Sequence, residues 1–175
     1  MSGTHPVDPL PARSFGERLF GTLKLDPEAF TEIEHDPSSL GQAAIVVTLA
    51  ATAAGLGNAF ADSGEGVALA IIGNLFAWAV STAIIWLIGV AWLQHESDYP
   101  ELLRTVGFAT APQALYVLAN TEIGMLAMAV GWVWSLAAYI IAVREALDVS
   151  TGRAVGVCLG ANLIVFVLIV TFLTL

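Results

Sequence analysis

When the apolar stretches of this chain are threaded back and forth across a membrane as five helices, all 6 basic residues, Arg13, Arg18, Lys24, Arg104, Arg144 and Arg153, fall on one side. Loops that stay in the cytoplasm keep Lys and Arg, and translocated loops lack them. The pattern predicts a cytoplasmic N-terminus and an external C-terminus. Crossing about 30 Å of hydrocarbon takes roughly 20 apolar residues, with each backbone polar group bonded inside its own segment. Five stretches meet that demand: Gly41–Phe60, Gly66–Leu93, Leu103–Ala119, Ile123–Val143 and Ala154–Thr174. The third is the weakest, since it is short and carries Pro112 and Gln113 at its middle. A full crossing is preferred there, because a re-entrant run would put Arg144 and Arg153 opposite Arg18 and abolish the charge asymmetry.

Composition excludes the soluble alternative. Hydrophobic residues make up 57% and charged residues 12%, with a mean hydropathy of +0.80, whereas soluble domains carry about 25% charged residues. The expected fold is therefore all-α and polytopic. Residues 41–175 form a five-transmembrane-helix bundle, behind a cytoplasmic segment, residues 1–40, that carries short amphipathic helices. That segment is polar and has no apolar core of the kind found in a cleavable signal peptide, so the first span is expected to direct insertion. Phe15, Leu19, Phe20 and Leu23 recur at helical spacing and predict a short helix in the membrane interface. Asp26-Pro27-Glu28 reads as a helix cap followed by proline at the first helical position, opening a second helix with Phe30 and Ile33 on one face. Trp78, Trp132 and Trp134 are expected to pack within the bundle. The formal charge is −9, and much of the acid sits in the N-terminal segment, where a clustered run reads as solvated.

No span contains an acid or base in its interior, which argues against proton-coupled transport. Asn58, Asn74, Gln113 and Asn162 are the intramembrane amides. Their commoner use is hydrogen bonding between helices, at about 1 kcal/mol each; their alternative use is as the polar lining of a small permease or channel. Gly152, Gly156 and Gly160 form a row of small residues four apart, suited to close helix packing inside the bundle or to a dimer seam. His5, His35 and His95 all lie outside the spans, so no buried base serves Ser81 or Ser135. His95-Glu96 begins like a metalloprotease motif but lacks the second histidine, and Cys158 is a lone packing residue. No catalytic residue, cofactor or metal site is predicted. Arg104, Arg144, Glu145 and Arg153 are the candidate contacts on the cytoplasmic face, where guanidinium groups suit lipid phosphate or an acidic protein.

Several segments in order resemble the Yip family of integral membrane proteins, named for binding Ypt/Rab GTPases. These are Pro27-Glu-Ala-Phe30 and Asp36-Pro37 before the first span, and Gly107-Phe108-Ala109-Thr110-Ala111-Pro112 in the third. Gly131-Trp132-Val133-Trp134 and Val143-Arg144-Glu145-Ala146 follow in the fourth, and Ser150-Thr151-Gly152-Arg153-Ala154 opens the fifth. The resemblance runs from about Leu25 to the end. It implies five spans and a role in membrane organisation or trafficking in place of catalysis; Gly107 and Pro112 in the third span are further candidate helix-packing residues. The short N-terminal segment lacks the Asp-Leu-Tyr-Gly-Pro motif of eukaryotic members, so GTPase binding is not carried over. The form looks like the compact bacterial and archaeal members, which implies a plasma membrane location. The expected partners are membrane lipids, with a cytoplasmic protein or a second copy of the chain, and no nucleic acid. A membrane scaffold is the leading reading and a small permease the alternative.

Overall fold

The computed structural model describes residues 13–59, 65–92 and 97–174. Local capping chemistry fixes its first two helices. Helix α1 (Phe15–Leu23) opens with a reciprocal box in which the Glu17 N–H donates to Ser14 Oγ and the Ser14 N–H donates to Glu17 Oε2 at 2.7 Å. It closes with the Asp26 N–H on the Gly21 carbonyl and the Leu25 N–H on that of Thr22, which puts Leu25 at φ 60°. Helix α2 (Pro27–His35) then starts from Asp26, whose carboxylate accepts from the Glu28 N–H, as its Asp-Pro-Glu opening predicts.

A short turn at Asp36–Ser38 leads into helix α3 (Ser39–Ala59). Helix α4 (Glu65–Trp86) follows and continues as a π-helical turn, Leu87–Trp92. Then come α5 (Tyr99–Phe108), a 3-10 rod (Ala111–Leu118), α6 (Gly124–Ala146) and α7 (Thr151–Thr174). Among the described residues there is no strand, and four helical stretches are long and apolar enough to cross a membrane: Ser39–Gly57, Gly66–Val90, Gly124–Ala146 and Thr151–Leu168.

The expected third span is thus not one helix. Its first part begins earlier than its apolar run, because Glu101 reaches back to the Asp98 N–H at 2.9 Å and starts α5 in the polar approach. Its second part is a 3-10 rod, because Pro112 has no N–H to donate and blocks continuation of an α-helix. Thr110 bridges the break: its N–H and its hydroxyl both donate to the Gly107 carbonyl, at 3.2 and 2.7 Å. The rod lies between α3 and α6 and runs parallel to α3. A Cβ on Gly107 would stand 2.8 Å from the Ala43 Cβ, and one on Gly57 would stand 2.0 Å from the Tyr116 carbonyl oxygen. No side chain fits at Gly57, so glycine there sets how closely the rod approaches α3.

Three buried clusters hold the helices. Ile85, Leu102, Val106, Val143, Leu147 and Val157 join α4, α5, α6 and α7. Ile33, Ala43, Val46 and Phe108 join α2, α3 and α5, and Phe15, Leu19 and Leu23 of α1 pack against them. Phe30 packs with Ala109, Ala138 and Ala142. The two N-terminal helices therefore form a cap over one end of the bundle. The apolar stripe of α1 is spent largely on the bundle through Phe15, Leu19 and Leu23, and Phe20, 66% exposed, points away. Trp78 and Trp134 pack inward, their indole N–H groups donating to the Leu103 and Leu23 carbonyls at 3.2 and 2.9 Å. Trp132 departs from expectation and is 61% exposed, within a belt that includes Ile45, Leu49, Leu69, Phe76, Leu126 and Phe166.

Candidate functional site

The capped end gathers the described basic side chains, and most of them are spent inside the protein. Arg18 is only 3% exposed. Its guanidinium donates to Glu32 Oε1 at 3.0 and 3.1 Å, to Ser39 Oγ at 2.8 Å and to Gln42 Oε1 at 3.3 Å, and pairs with Asp36 Oδ2 at 2.6 Å. One side chain of α1 thereby ties together α2, the turn after it and the entry of α3. Arg13 adds ion pairs to Asp26 at 2.9 Å and to Glu28 and Glu32 at 3.5 Å. The acids that a composition count reads as a solvated run are in good part partners of these two arginines. Asp36 is held below the usual carboxylate range, first by hydrogen bonds from Ser38 and then by Arg18.

Arg104, a candidate for outside contact, is 7% exposed, and its guanidinium donates to the backbone carbonyl of Glu34, with Nε at 2.9 Å. It locks α5 onto the C-terminal end of α2 and is not available to lipid phosphate. Arg144 pairs with its neighbour Glu145, which also accepts from the Thr31 hydroxyl at 3.3 Å. Arg153 is exposed, as is Lys24. Of the four predicted face residues, then, the structure brings Arg144 and Glu145 together, buries Arg104 and leaves Arg153 exposed.

Sequence reasoning missed Glu34. It is 9% exposed, and burial pushes its carboxyl up to about 7, with Glu101, Asp148 and Glu145 adding to the rise and His35 opposing it. His35 is itself raised, first by its hydrogen bond with the Thr31 carbonyl, at 2.8 Å, and also by Glu34, Glu101 and Asp148. The capped end therefore carries one carboxyl that changes charge near neutrality.

The predicted packing glycines divide. Gly107 meets Ala43 and Trp78, and Pro112 is buried at the start of the rod. Gly152 and Gly156 have nothing within 4 Å of an added Cβ, and Gly160 has only Ile88, at 3.7 Å. The expected packing of that row inside the bundle is not found, because α7 buries the neighbouring face through Ala154, Val157, Cys158 and Ala161. The amides also depart from interhelical pairing. Asn74 and Asn162 donate to carbonyls one turn back on their own helices, Ala70 and Cys158, each at 2.8 Å. His5, His95, Glu96 and the side chain of Asn58 lie outside the described residues.

The Yip1 domain family model matches residues 20–173, nearly the whole chain. The chain belongs to the Yip1 family. With four helices of membrane-spanning length and this domain, it is an integral membrane protein, and Yip family proteins are generally not enzymes. The Yip1 match includes all of α2, so the helix that Arg104 secures belongs to the family domain. No curated protein and no solved structure matches the chain.

The position of Glu34 generates a pH dependence with a definite sign. Below its unfolded value of 4.5 the carboxyl is neutral in both states; above that the unfolded chain ionises first, and the folded one only near 7. Folding stability contributed here is thus full below pH 4.5 and is lost as pH rises through about 7. Glu34→Gln should remove this slope and stabilise the purified protein at pH 8 by on the order of 2 kcal/mol, read from thermal unfolding in detergent between pH 4.5 and 8.

Proposed function

We propose that this Yip1-family protein is a membrane organiser whose capped end is its working face. It engages a cytoplasmic protein or lipid headgroups there and catalyses no reaction. The observation that carries this reading is the way the cap is built. Arg18 and Arg104 tie α1 and α2 to the bundle entry from buried positions, so the cap presents a fixed surface. Preorganised surfaces lose less conformational entropy on binding than mobile ones. On that surface Lys24 and Arg153 are exposed cations, with Phe20 projecting beside Lys24 on α1. An apolar ring next to a long cationic chain suits the headgroup boundary of a membrane.

The same reading assigns five crossings, with the capped end in the cytoplasm and the home membrane that of a prokaryotic cell. Helix α4 runs down to the capped end, where Ile85 packs with Leu102 and Leu147. Helix α6 starts at the opposite end, where an added Cβ on Gly124 would meet the Ala119 carbonyl. The segment between them has to connect the two ends. Ten residues of α5 at about 1.5 Å each and eight of the rod at about 2.0 Å each give roughly 30 Å, enough for hydrocarbon. The contacts of α5 and the rod along α3, Gly107 at Ala43 and Tyr116 at Gly57, support this path.

Two measurements test the proposal. In a Cys158→Ala background, a membrane-impermeant maleimide should label Glu122→Cys in intact cells and Ser14→Cys only after permeabilisation; the reverse pattern, or both labelled from one side, refutes the assigned topology. Crosslinking in the native membrane should recover a partner with the wild-type protein and several-fold less of it with Lys24→Gln plus Arg153→Gln, whereas Glu122→Gln at the far end changes nothing.

A further inference from the structure

The break in the third crossing leaves space inside the bundle. A 3-10 rod is narrower than an α-helix, and two adjoining hollows lie beside it. The larger, about 530 Å3, is lined mainly by apolar side chains of α3, α4 and α7, with Asn74, Ser81, Thr110, Gln113 and Tyr139 among its walls. The smaller, about 220 Å3, shares Ser81, Gln113, Tyr139 and Val165 with it and adds Ser135 and Asn162. Together they have the size and character of a small-molecule site, which is typically about 300–1,000 Å3, mostly apolar and furnished with a few polar groups.

Two observations say what would occupy them. The first is the location of the mouth. Phe76 and Leu168 line the larger hollow and are 70% and 56% exposed within the apolar belt. The opening between α4 and α7 therefore faces the lipid phase, and an occupant arrives from the bilayer. The second is unspent hydrogen-bonding capacity at the inner end. Ser135 is 3% exposed and its hydroxyl has no partner. Among the described residues the Gln113 amide, half-buried beside it, makes no hydrogen bond; Asn162 is exposed at the rim of the smaller hollow and donates its Nδ2 to the Cys158 carbonyl. A buried polar group without a partner is destabilising, so a ligand that bonds it is favoured. Neither hollow is lined by an ionisable acid or base of the kind that would pair a charge, and a charged group at this depth is costly.

We infer that the hollows form an intramembrane binding site for a neutral single-chain amphiphile, a long-chain alcohol taken laterally from the bilayer. The hydroxyl sits in the smaller hollow and bonds Ser135 and Gln113. The hydrocarbon chain fills the outer hollow and leaves past Phe76 and Leu168. This ligand is distinct from a headgroup or protein bound at the capped end, so either site can fail without the other.

The test uses the full chain in nanodiscs of neutral phosphatidylcholine with a long-chain alcohol that carries a photoactivatable diazirine in its chain. Labelling should saturate, concentrate on residues 76–81 and 165–168, and be displaced by unlabelled alcohol but far less by the corresponding carboxylate. Ala77→Phe, which fills the mouth from an exposed position, should lower site labelling about ten-fold. Ser135→Ala should weaken displacement by the alcohol about five-fold, the effect of one hydrogen bond. Both variants are checked for wild-type elution and helical content, and Leu168→Trp, at an exposed position of the same mouth, serves in place of Ala77→Phe if that variant misfolds. Labelling that fails to saturate, spreads over the whole exposed belt or ignores the filled mouth overturns the site. Equal displacement of the probe by the carboxylate overturns the neutral-head assignment.

Discussion

The guanidinium of Arg18 is the interaction on which the described architecture of the capped end depends. It is almost fully out of solvent and meets acceptors from α2, the following turn and α3. A buried ion pair is weak evidence for net stability, since desolvation offsets much of the attraction, but removing one partner leaves the others uncompensated at about 3–5 kcal/mol. Arg18 therefore acts mainly by specifying geometry: it sets where α1 sits and the direction in which the chain enters the membrane. With α1 in place, Phe15, Leu19 and Leu23 are used on the bundle, Phe108 is covered by Phe15 at a ring separation of 6.1 Å, and α5 is held by Arg104 against α2.

Holding α5 in this way has consequences further along the chain. The helix ends at Phe108, packed on Phe15 of the cap, and the chain goes on to the opposite end, where α6 starts, through the 3-10 rod Ala111–Leu118. The rod lies close to α3 because Gly57 offers no side chain to the Tyr116 carbonyl, and close to α6 because Gly131 offers none to the Tyr116 ring, 2.9 Å from an added Cβ. Tight contact at those points, and the slim rod itself, account for hollows at Ser81 and Gln113 where a full α-helix would bring more side chains. Cap and interior are thus linked by one physical chain of cause, from a charge clasp to a broken helix to a cavity.

Much of this was legible in the sequence because lipid leaves few options. Apolar length located the four long helices, the Asp26-Pro27 cap placed α2, and the basic residues were expected at one end, where the described ones lie. Other features needed the tertiary structure. Phe15, Arg18, Leu19 and Thr22 stand at i, i+3, i+4 and i+7, the spacing of one helix face, so Arg18 shares the inward side; a charge on that face is intelligible only with the acceptors that Glu32, Asp36 and Ser39 supply from other elements. Arg104, expected as an outside contact, is likewise taken by an acceptor distant in sequence, the Glu34 carbonyl. Gly152 and Gly156 have the spacing of a packing seam, yet rotation of α7 turns its Ala154 and Val157 inward instead. Spacing defines a face but not its direction. The amides Asn74 and Asn162 bond within their own helices, a choice that composition cannot distinguish from bonding across helices.

The central claim is that the cap is an integral part of the membrane domain, held there by Arg18. Hydrogen–deuterium exchange, residue by residue, on wild type and Arg18→Met in nanodiscs tests it most directly. The account predicts that amides of residues 15–36 are protected in the wild type and exchange at least ten-fold faster in the variant, while the centre of α6, residues 128–140, keeps its protection. Wild-type protection of residues 15–36 that persists in the Arg18→Met protein would contradict the clasp, and rapid exchange of that segment in the wild type would contradict a docked cap altogether.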